Sequence, residues 1–267
     1  IDDLIVTKIS ETKFFAVINA GCKDKDIEWI EGQCPDSVKM TVLKDRSLIA
    51  LQGPSAEKVL HETLYLNILN LKYMRMVQID ELYVSRLGYT GEDGFEISLP
   101  SEYAQTFWDK LCEHDEVKPI GLAARDSLRL EMGYCLYGHD IDEKTSPVEA
   151  DLSWVIGKDA DAFYGSERIL SEKEEGTDKK RVGIKIADKG VAREGADILS
   201  SDDQVIGRLT SGGFSPSLQT SIGQGYIATD YAKNGTSVKV EVRGRKLAAE
   251  VADMPFIEPK VKVAKKA

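Results

Sequence analysis

Glycine recurs every third residue in Gly88-Tyr89-Thr90-Gly91-Glu92-Asp93-Gly94, between two strand-forming runs, Leu82 to Leu87 and Phe95 to Leu99. Such punctuation predicts an antiparallel pair whose turn needs positive φ or close approach of the backbone to another group. A plain hairpin satisfies that much. Tyr89 inside the turn and Glu96 just beyond it add an aromatic face and a carboxylate, placed where a flat ring rich in hydrogen-bonding groups could be stacked and read. Farther along, Gly121-Leu122-Ala123-Ala124-Arg125-Asp126-Ser127-Leu128-Arg129-Leu130-Glu131 reads as an amphipathic helix. Its composition is expected to turn at least one face of the Arg125–Asp126 pair inward, and buried charges are paired or functional. For Arg125, a structural ion pair and an anion or substrate contact both stay open.

Composition narrows the function classes. With 267 residues the chain can bury a substantial core and hold more than one domain of about 100 to 200 residues. A net charge of −10 works against sequence-independent nucleic-acid binding, which needs a basic face to neutralise phosphates. Arg243-Gly244-Arg245-Lys246 and the tail Lys260, Lys262, Lys265, Lys266 are local exceptions best read as a solvated strand end and a solvated tail. No apolar run approaches the ~18 residues of a membrane helix, so a soluble protein is expected. The 4 cysteines, Cys22, Cys34, Cys112 and Cys135, show neither C-x-x-C spacing nor a small disulfide framework, which favours a reducing compartment.

Along the chain, Leu4 to Ile9 and Phe14 to Asn19 predict a hairpin, with Asp2 and Asp3 at the mouth of its first strand. Lys23 to Gly32 suits a short helix. Thr41 to Leu43 and Ser47 to Leu51 read as a second hairpin turning at Lys44-Asp45-Arg46. Gly53-Pro54-Ser55 opens a helix with Val59, Leu60, Thr63 and Leu64 on one stripe. Ser101 is expected to cap the next helix, whose core face holds Tyr103, Phe107 and Leu111 beside Ala104 and Trp108. Residues 171–181 contain no apolar side chain and read as a solvated connection and domain boundary. Beyond them, short strands at Val182 to Ile186, Val205 to Thr210, Gly225 to Ala228, Ser237 to Val242 and Lys246 to Val251 predict a small all-β barrel or sandwich.

Other motifs carry less. Gly223-Gln224-Gly225-Tyr226-Ile227-Ala228 fits G-x-G-x-x-A but is set among strand formers rather than before a helix. His61, His114 and His139 lack metal-ligand spacing, so no metal site is expected. Asp140, Asp142 and Glu143 lack the glycine and final bidentate Glu of a calcium loop and read as a solvated loop. Asp2-Asp3 fits either a strand-start turn or a catalytic carboxylate.

Collinear segments then carry a resemblance. They are Ile1-Asp2-Asp3-Leu4-Ile5-Val6, Val17-Ile18-Asn19-Ala20-Gly21-Cys22, Leu51-Gln52-Gly53-Pro54, the G-Y-T-G-E-D-G turn, G-L-A-A-R-D-S-L-R-L-E and Leu136-Tyr137-Gly138. Ser146-Pro147-Val148-Glu149-Ala150, Thr210-Ser211-Gly212-Gly213-Phe214-Ser215-Pro216 and Met254-Pro255-Phe256 follow in order. Over its whole length the chain resembles the aminomethyltransferase family, the T-protein of the glycine cleavage system. The resemblance implies an α+β fold of three domains in a cloverleaf around a central channel. Residues 1–36 and 135–178 would form a folate-binding α+β domain, 37–134 a second α+β domain, and 179–267 a C-terminal β-barrel. It further implies transfer of an aminomethyl group from a lipoyl-carrying H-protein to tetrahydrofolate, a co-substrate, with no metal, flavin, nucleic acid or membrane. Asp3 would be the catalytic residue, with Val17 and Asn19 lining its pocket. Tyr89, Glu96, Arg125, Tyr134 and Tyr73 would hold folate and substrate. The mitochondrial matrix is implied by likeness to eukaryotic members, and the cytoplasm if the chain is bacterial.

Departures set the alternative. The family's N-terminal segment, with its D-V-S-H-M motif, is not in this sequence, and Val261 stands where some members have a tyrosine. The competing expectation is a non-catalytic folate-binding module or truncated remnant. The K-G-C-Y-x-G-Q signature of the related iron-sulfur maturation factor is not found, nor is the flavin half of dimethylglycine and sarcosine dehydrogenases. Leu136-Tyr137-Gly138-His139-Asp140-Ile141-Asp142 looks closer to free-standing T-proteins.

Overall fold

The computed structural model describes residues 2–65 and 68–261, so Lys262, Lys265 and Lys266 lie outside the described residues. The chain divides into two compact units, residues 1–125 with 259–267, and residues 126–258.

In the first unit, β1 (Ile5–Ser10) and β2 (Lys13–Val17) form the expected antiparallel hairpin, with Ile5 opposite Val17. It is followed by α1 (Lys23–Gln33). Phe15 stacks on Tyr83 with ring centroids 4.6 Å apart, which anchors the hairpin to a four-stranded sheet. That sheet comprises β3 (Arg46–Gln52), β4 (Arg75–Ile79), β5 (Leu82–Arg86) and β6 (Gly94–Pro100), in the order β3-β6-β5-β4. Two helices, α2 (Ala56–Leu64) and α3 (Ala104–Cys112), supply the other half of the core. Val59, Leu60, Phe107 and Leu111 join Ile49, Leu51, Val84, Phe95, Ile97 and Leu99 in one buried cluster. Burial of each such side chain contributes about 1.5–3 kcal/mol.

Two local expectations give way here. Residues 41–43 are not a strand, and β3 pairs with β6, placing Ile49 opposite Ile97. This non-local partner matches buried face to buried face, whereas Val42 and Leu43 remain exposed. Ser101 does not cap α3. It opens a 3-10 turn, Ser101–Tyr103, and its hydroxyl meets that of Ser47 at 3.1 Å. The tighter turn shifts the helical phase, so Phe107 and Leu111 are buried while Tyr103 and Trp108 face solvent.

The helix α4 (Leu122–Glu131) crosses from the first unit into the second. The second unit continues through a 3-10 turn, Ser153–Val155, and α5 (Ser166–Glu175) into a barrel. Its strands are β7 (Lys179–Ile186), β8 (Asp197–Leu199), β9 (Val205–Ser215), β10 (Thr220–Ala228), β11 (Ser237–Val242) and β12 (Arg245–Ala252). They close in the order β10-β7-β12-β11-β8-β9 around Ile184, Ile198, Leu209, Val240 and Leu247, so barrel rather than sandwich is the outcome. The basic run at Arg243 is the turn between β11 and β12, with positive φ at Arg243 and Gly244.

The charged segment 171–181 is not all connection. Its first part completes α5, where Arg168 pairs with Glu172 one turn on at 2.6 Å, and its last part begins β7. β9 and β10 run through glycines that read as punctuation. A Cβ on Gly212 would lie 2.7 Å from the Ala192 carbonyl oxygen, and one on Gly225 2.2 Å from that of Arg208. Glycine is needed inside these strands for close backbone approach.

Candidate functional site

The acidic site follows from hairpin geometry. Because β1 and β2 are antiparallel, the residues entering the first and leaving the second lie side by side. Asn19 Nδ2 donates to Asp3 Oδ1 at 2.8 Å, to Asp2 Oδ1 at 2.9 Å and to the Asp3 carbonyl at 3.3 Å. The Asp3 backbone N–H donates to Asp2 Oδ1 at 2.8 Å. Partial desolvation raises the pKa of Asp3. The Asn19 hydrogen bond opposes that rise and the Asp2 charge reinforces it. Burial also disfavours ionisation of Asp2, but the neighbouring Asp26 carboxyl, the Asn19 amide and the Asp3 backbone N–H together outweigh it and hold this carboxyl below its usual value.

A second cluster surrounds the glycine turn. Gln52, at the end of β3, donates from Nε2 to the carbonyls of Leu87 at 3.0 Å and Phe95 at 3.3 Å, and accepts from Thr90 Oγ1 at 2.8 Å. Gly88 and Gly94 leave room for it: a Cβ on Gly88 would sit 1.9 Å from Gln52 Oε1. Gly91 meets the other requirement with φ of 75°. Buried Arg86 fixes the turn from below, donating to Asp93 at 2.8 Å, to Glu57 at 2.6 Å and to the Leu71 carbonyl at 2.7 Å. Lys260 N donates to the Gly91 carbonyl at 2.8 Å, and its ammonium pairs with Glu92 at 2.8 Å.

Held on this frame, Tyr89 offers its ring to the Arg125 guanidinium, 4.5 Å from the centroid. Glu96 is half-buried, and desolvation raises its pKa against the opposing charge of Arg125. Three of the expected ligands, Tyr89, Glu96 and Arg125, thus share one neighbourhood, and Asp3 and Asn19 share another. Val17 stands in the hairpin ladder opposite Ile5. Tyr73 is half-buried in the turn before β4. Tyr134 belongs to the second unit, where its carbonyl accepts from Gln224 Nε2 at 3.1 Å and Arg129 Nη1 at 3.3 Å.

Two charge assignments change. Arg125 and Asp126 are both exposed, and the buried charges of α4 are Arg129 and Glu131. Arg125 and Arg129 share one helical face, so position along the axis separates them: the last turn of α4 is buried and the first is exposed, which composition alone does not resolve. Nor is Asp140 part of a solvated loop. It is 1% exposed and accepts from Arg129, Gln224, Ser211, Thr210 and the Leu136 N–H. Asp142 does behave as expected, capping Lys144 and Thr145 on the surface. Sequence reasoning also passed over Asp26, Arg86 and Gln52 as individual residues. Only the first has a signal in position, as a carboxylate in the first turn of α1.

Against known proteins, residues 1–160 match the family model described as the GCVT N-terminal domain. Residues 179–258 match the glycine cleavage T-protein C-terminal barrel domain. The chain is 44% identical over 278 aligned residues to a mitochondrial aminomethyltransferase of Solanum tuberosum, covering 97% of this chain and 68% of the relative. It is 40% identical to an aminomethyltransferase of Halothermothrix orenii, covering 96% and 74%. The crystal structure of the glycine cleavage system aminomethyltransferase T from Bartonella henselae superposes with a TM-score of 0.93 at 38% identity, covering 98% of this chain and 73% of that one. With a matching family model on each part of the chain and relatives of this identity along nearly all of it, the chain belongs to the aminomethyltransferase family, the T-proteins of the glycine cleavage system.

Proposed function

We propose that this chain transfers the aminomethyl carbon of an S-aminomethyldihydrolipoyl H-protein to tetrahydrofolate, giving 5,10-methylenetetrahydrofolate, ammonia and the dihydrolipoyl carrier. The observation that carries the reading is an Asp3 carboxylate made more basic by desolvation and oriented by Asn19, in a chain aligned almost end to end with aminomethyltransferases. The family's division into residues 1–36 with 135–178, 37–134, and 179–267 belongs to the same proposal.

The residues at the glycine turn fit a folate ring in kind. Glu96 presents a desolvated carboxylate that accepts no hydrogen bond from a donor among the described residues, suited to the N–H edge of a flat heterocycle. Tyr89, with Arg125 over its ring, offers a stacking face and a cation. Val17, Tyr73 and Tyr134 are assigned to the same ligand on the family pattern. When bound, tetrahydrofolate supplies the two amine nitrogens that take up the carbon as its bonds to sulfur and to the departing ammonia break. Asp3 accepts a proton released from nitrogen in that exchange and offsets developing positive charge beside the carbon. A base so positioned contributes about 10²- to 10⁴-fold. Asn19 keeps the accepting oxygen aimed, and holding both partners in reacting geometry supplies much of the remaining acceleration.

The partner in this reading is the lipoyl-bearing H-protein. The compartment follows the source, since plant relatives are named mitochondrial and the Halothermothrix relative is not. No helix among the described residues is long and apolar enough to cross a membrane. The test is tetrahydrofolate-dependent ammonia release from aminomethylated H-protein, by this chain and by the same chain extended with a relative's N-terminal segment. Turnover lost in Asp3→Ala supports the transferase. Folate binding with no turnover in either form leaves the alternative, a non-catalytic binding module.

A further inference from the structure

Next to Asp3, three carboxyl oxygens of Asp2 and Asp26 are buried without a hydrogen-bond donor among the described residues. Asp26, on the first turn of α1, is 3% exposed, and neither of its side-chain oxygens accepts a hydrogen bond from any donor among the described residues. The same holds for Asp2 Oδ2. The two carboxyl groups act on each other's ionisation, the Asp2 charge opposing that of Asp26. The Lys25 ammonium stands 3.8 Å from Asp26 Oδ1, too long for a hydrogen bond. Burying two neighbouring carboxylates is costly, and a single proton between them converts the contact into a strong charge-assisted hydrogen bond.

We propose that Asp26 is a positioning residue for Asp3: its carboxyl holds a proton, donates it to Asp2 in a hydrogen bond, and so fixes the Asn19 amide that aims the Asp3 carboxylate. Asp2 and Asp3 are linked through a shared donor. Asp2 Oδ1 and Asp3 Oδ1 share Asn19 Nδ2 at 2.9 and 2.8 Å, so rotation of the Asp2 carboxyl displaces the group that orients Asp3. The titration behaviour agrees. Burial, then the hydrogen bond and charge of Asp2, raise Asp26 to about 6, while Asp2 is held below its usual value. Lys25, Asp3 and the Cys22 thiol, which burial and the Asp2 charge push up, are the titratable side chains beside the pair, and the charges of Lys25 and the N-terminal amine oppose the rise at Asp26.

The role rests on the transferase reading, but the proton does not, and the two are tested separately. In the full chain labelled with ¹³C at aspartate carboxyls, wild type should show one carboxyl titrating near pH 6 that is lost in Asp26→Asn. The Asn19 side-chain amide signals should shift with the same midpoint in wild type and not in the variant. In turnover, Asp26→Ala should lower kcat about 10-fold or more, with KM for tetrahydrofolate changed less than 3-fold. Asp26→Asn, a permanent donor of the same shape, should keep kcat within about 3-fold of wild type and flatten its fall above pH 6. Absence of the pH 6 titration overturns the shared proton. An Asp26→Asn variant as impaired as Asp26→Ala, or an Asp26→Ala variant with unaltered kcat, overturns the positioning role. Absence of turnover both in wild type and in its N-terminally extended form, with the titration still present, sinks the transferase reading instead.

Discussion

Two buried carboxylates, Asp140 in the barrel unit and Asp26 beside the β1–β2 hairpin, have almost the same exposure, 1% and 3%, and opposite surroundings. Asp140 receives donors from a guanidinium, an amide, two hydroxyls and a backbone N–H, at 2.6 to 2.9 Å. Asp26 receives none among the described residues and neighbours another carboxyl. Burial alone therefore does not tell what a charged group is for. A fully satisfied carboxylate ties strands β9 and β10 to the loop after α4, whereas an unsatisfied one keeps a proton equilibrium open next to the proposed base.

The largest loss is expected at Asp140. Replacing it with Ala leaves the Arg129 guanidinium, itself 4% exposed, without its buried partner, and chemical denaturation should register a loss of about 3–5 kcal/mol. A loss below 1 kcal/mol would mean that the network is dispensable. Asp3→Asn should do the reverse, lowering kcat about 10²- to 10⁴-fold while leaving the melting temperature within a degree or two. Gln52→Leu, which keeps the volume but removes the bonds to Leu87, Phe95 and Thr90, should cost about 1–3 kcal/mol and weaken folate binding through the loosened turn. Calorimetry with tetrahydrofolate separates the two effects.

The smallest effect is a pH dependence of stability at Asp26. Asp26 has a folded value of about 6 against an ordinary 3.8, so the folded state binds this proton more tightly than the unfolded chain. The stabilisation is fully present below 3.8 and lost as pH rises through about 6. Asp26→Asn removes that loss, so its melting temperature relative to wild type should climb between pH 4 and pH 7.

How much was legible depended on range. The β1–β2 hairpin, α1, α2 and most of the barrel strands were readable because alternation and helical period are local properties. The pairing of β3 with β6 was not, since that strand's partner lies nearly fifty residues away and is chosen by matching buried faces. The three-residue β8 is too short to carry a period. At the site, Asp3, Asn19, Tyr89, Glu96 and Arg125 were named through motif resemblance. Their physics was mixed: the Arg125–Asp126 pair expected to turn inward is exposed, while Arg129 one turn later is buried.

By itself the sequence determined the family, the barrel's composition and the glycines of the turn, because each rests on residue type at fixed spacing. Only tertiary structure decided why those glycines are there, with Gln52 filling the space that two missing side chains leave. It likewise decided which acids are satisfied. Asp26 and Asp140 are the same residue in one-dimensional terms. Hydrogen bonding and desolvation depend on atoms brought together from distant positions, and those atoms make one a structural clamp and the other a proton holder.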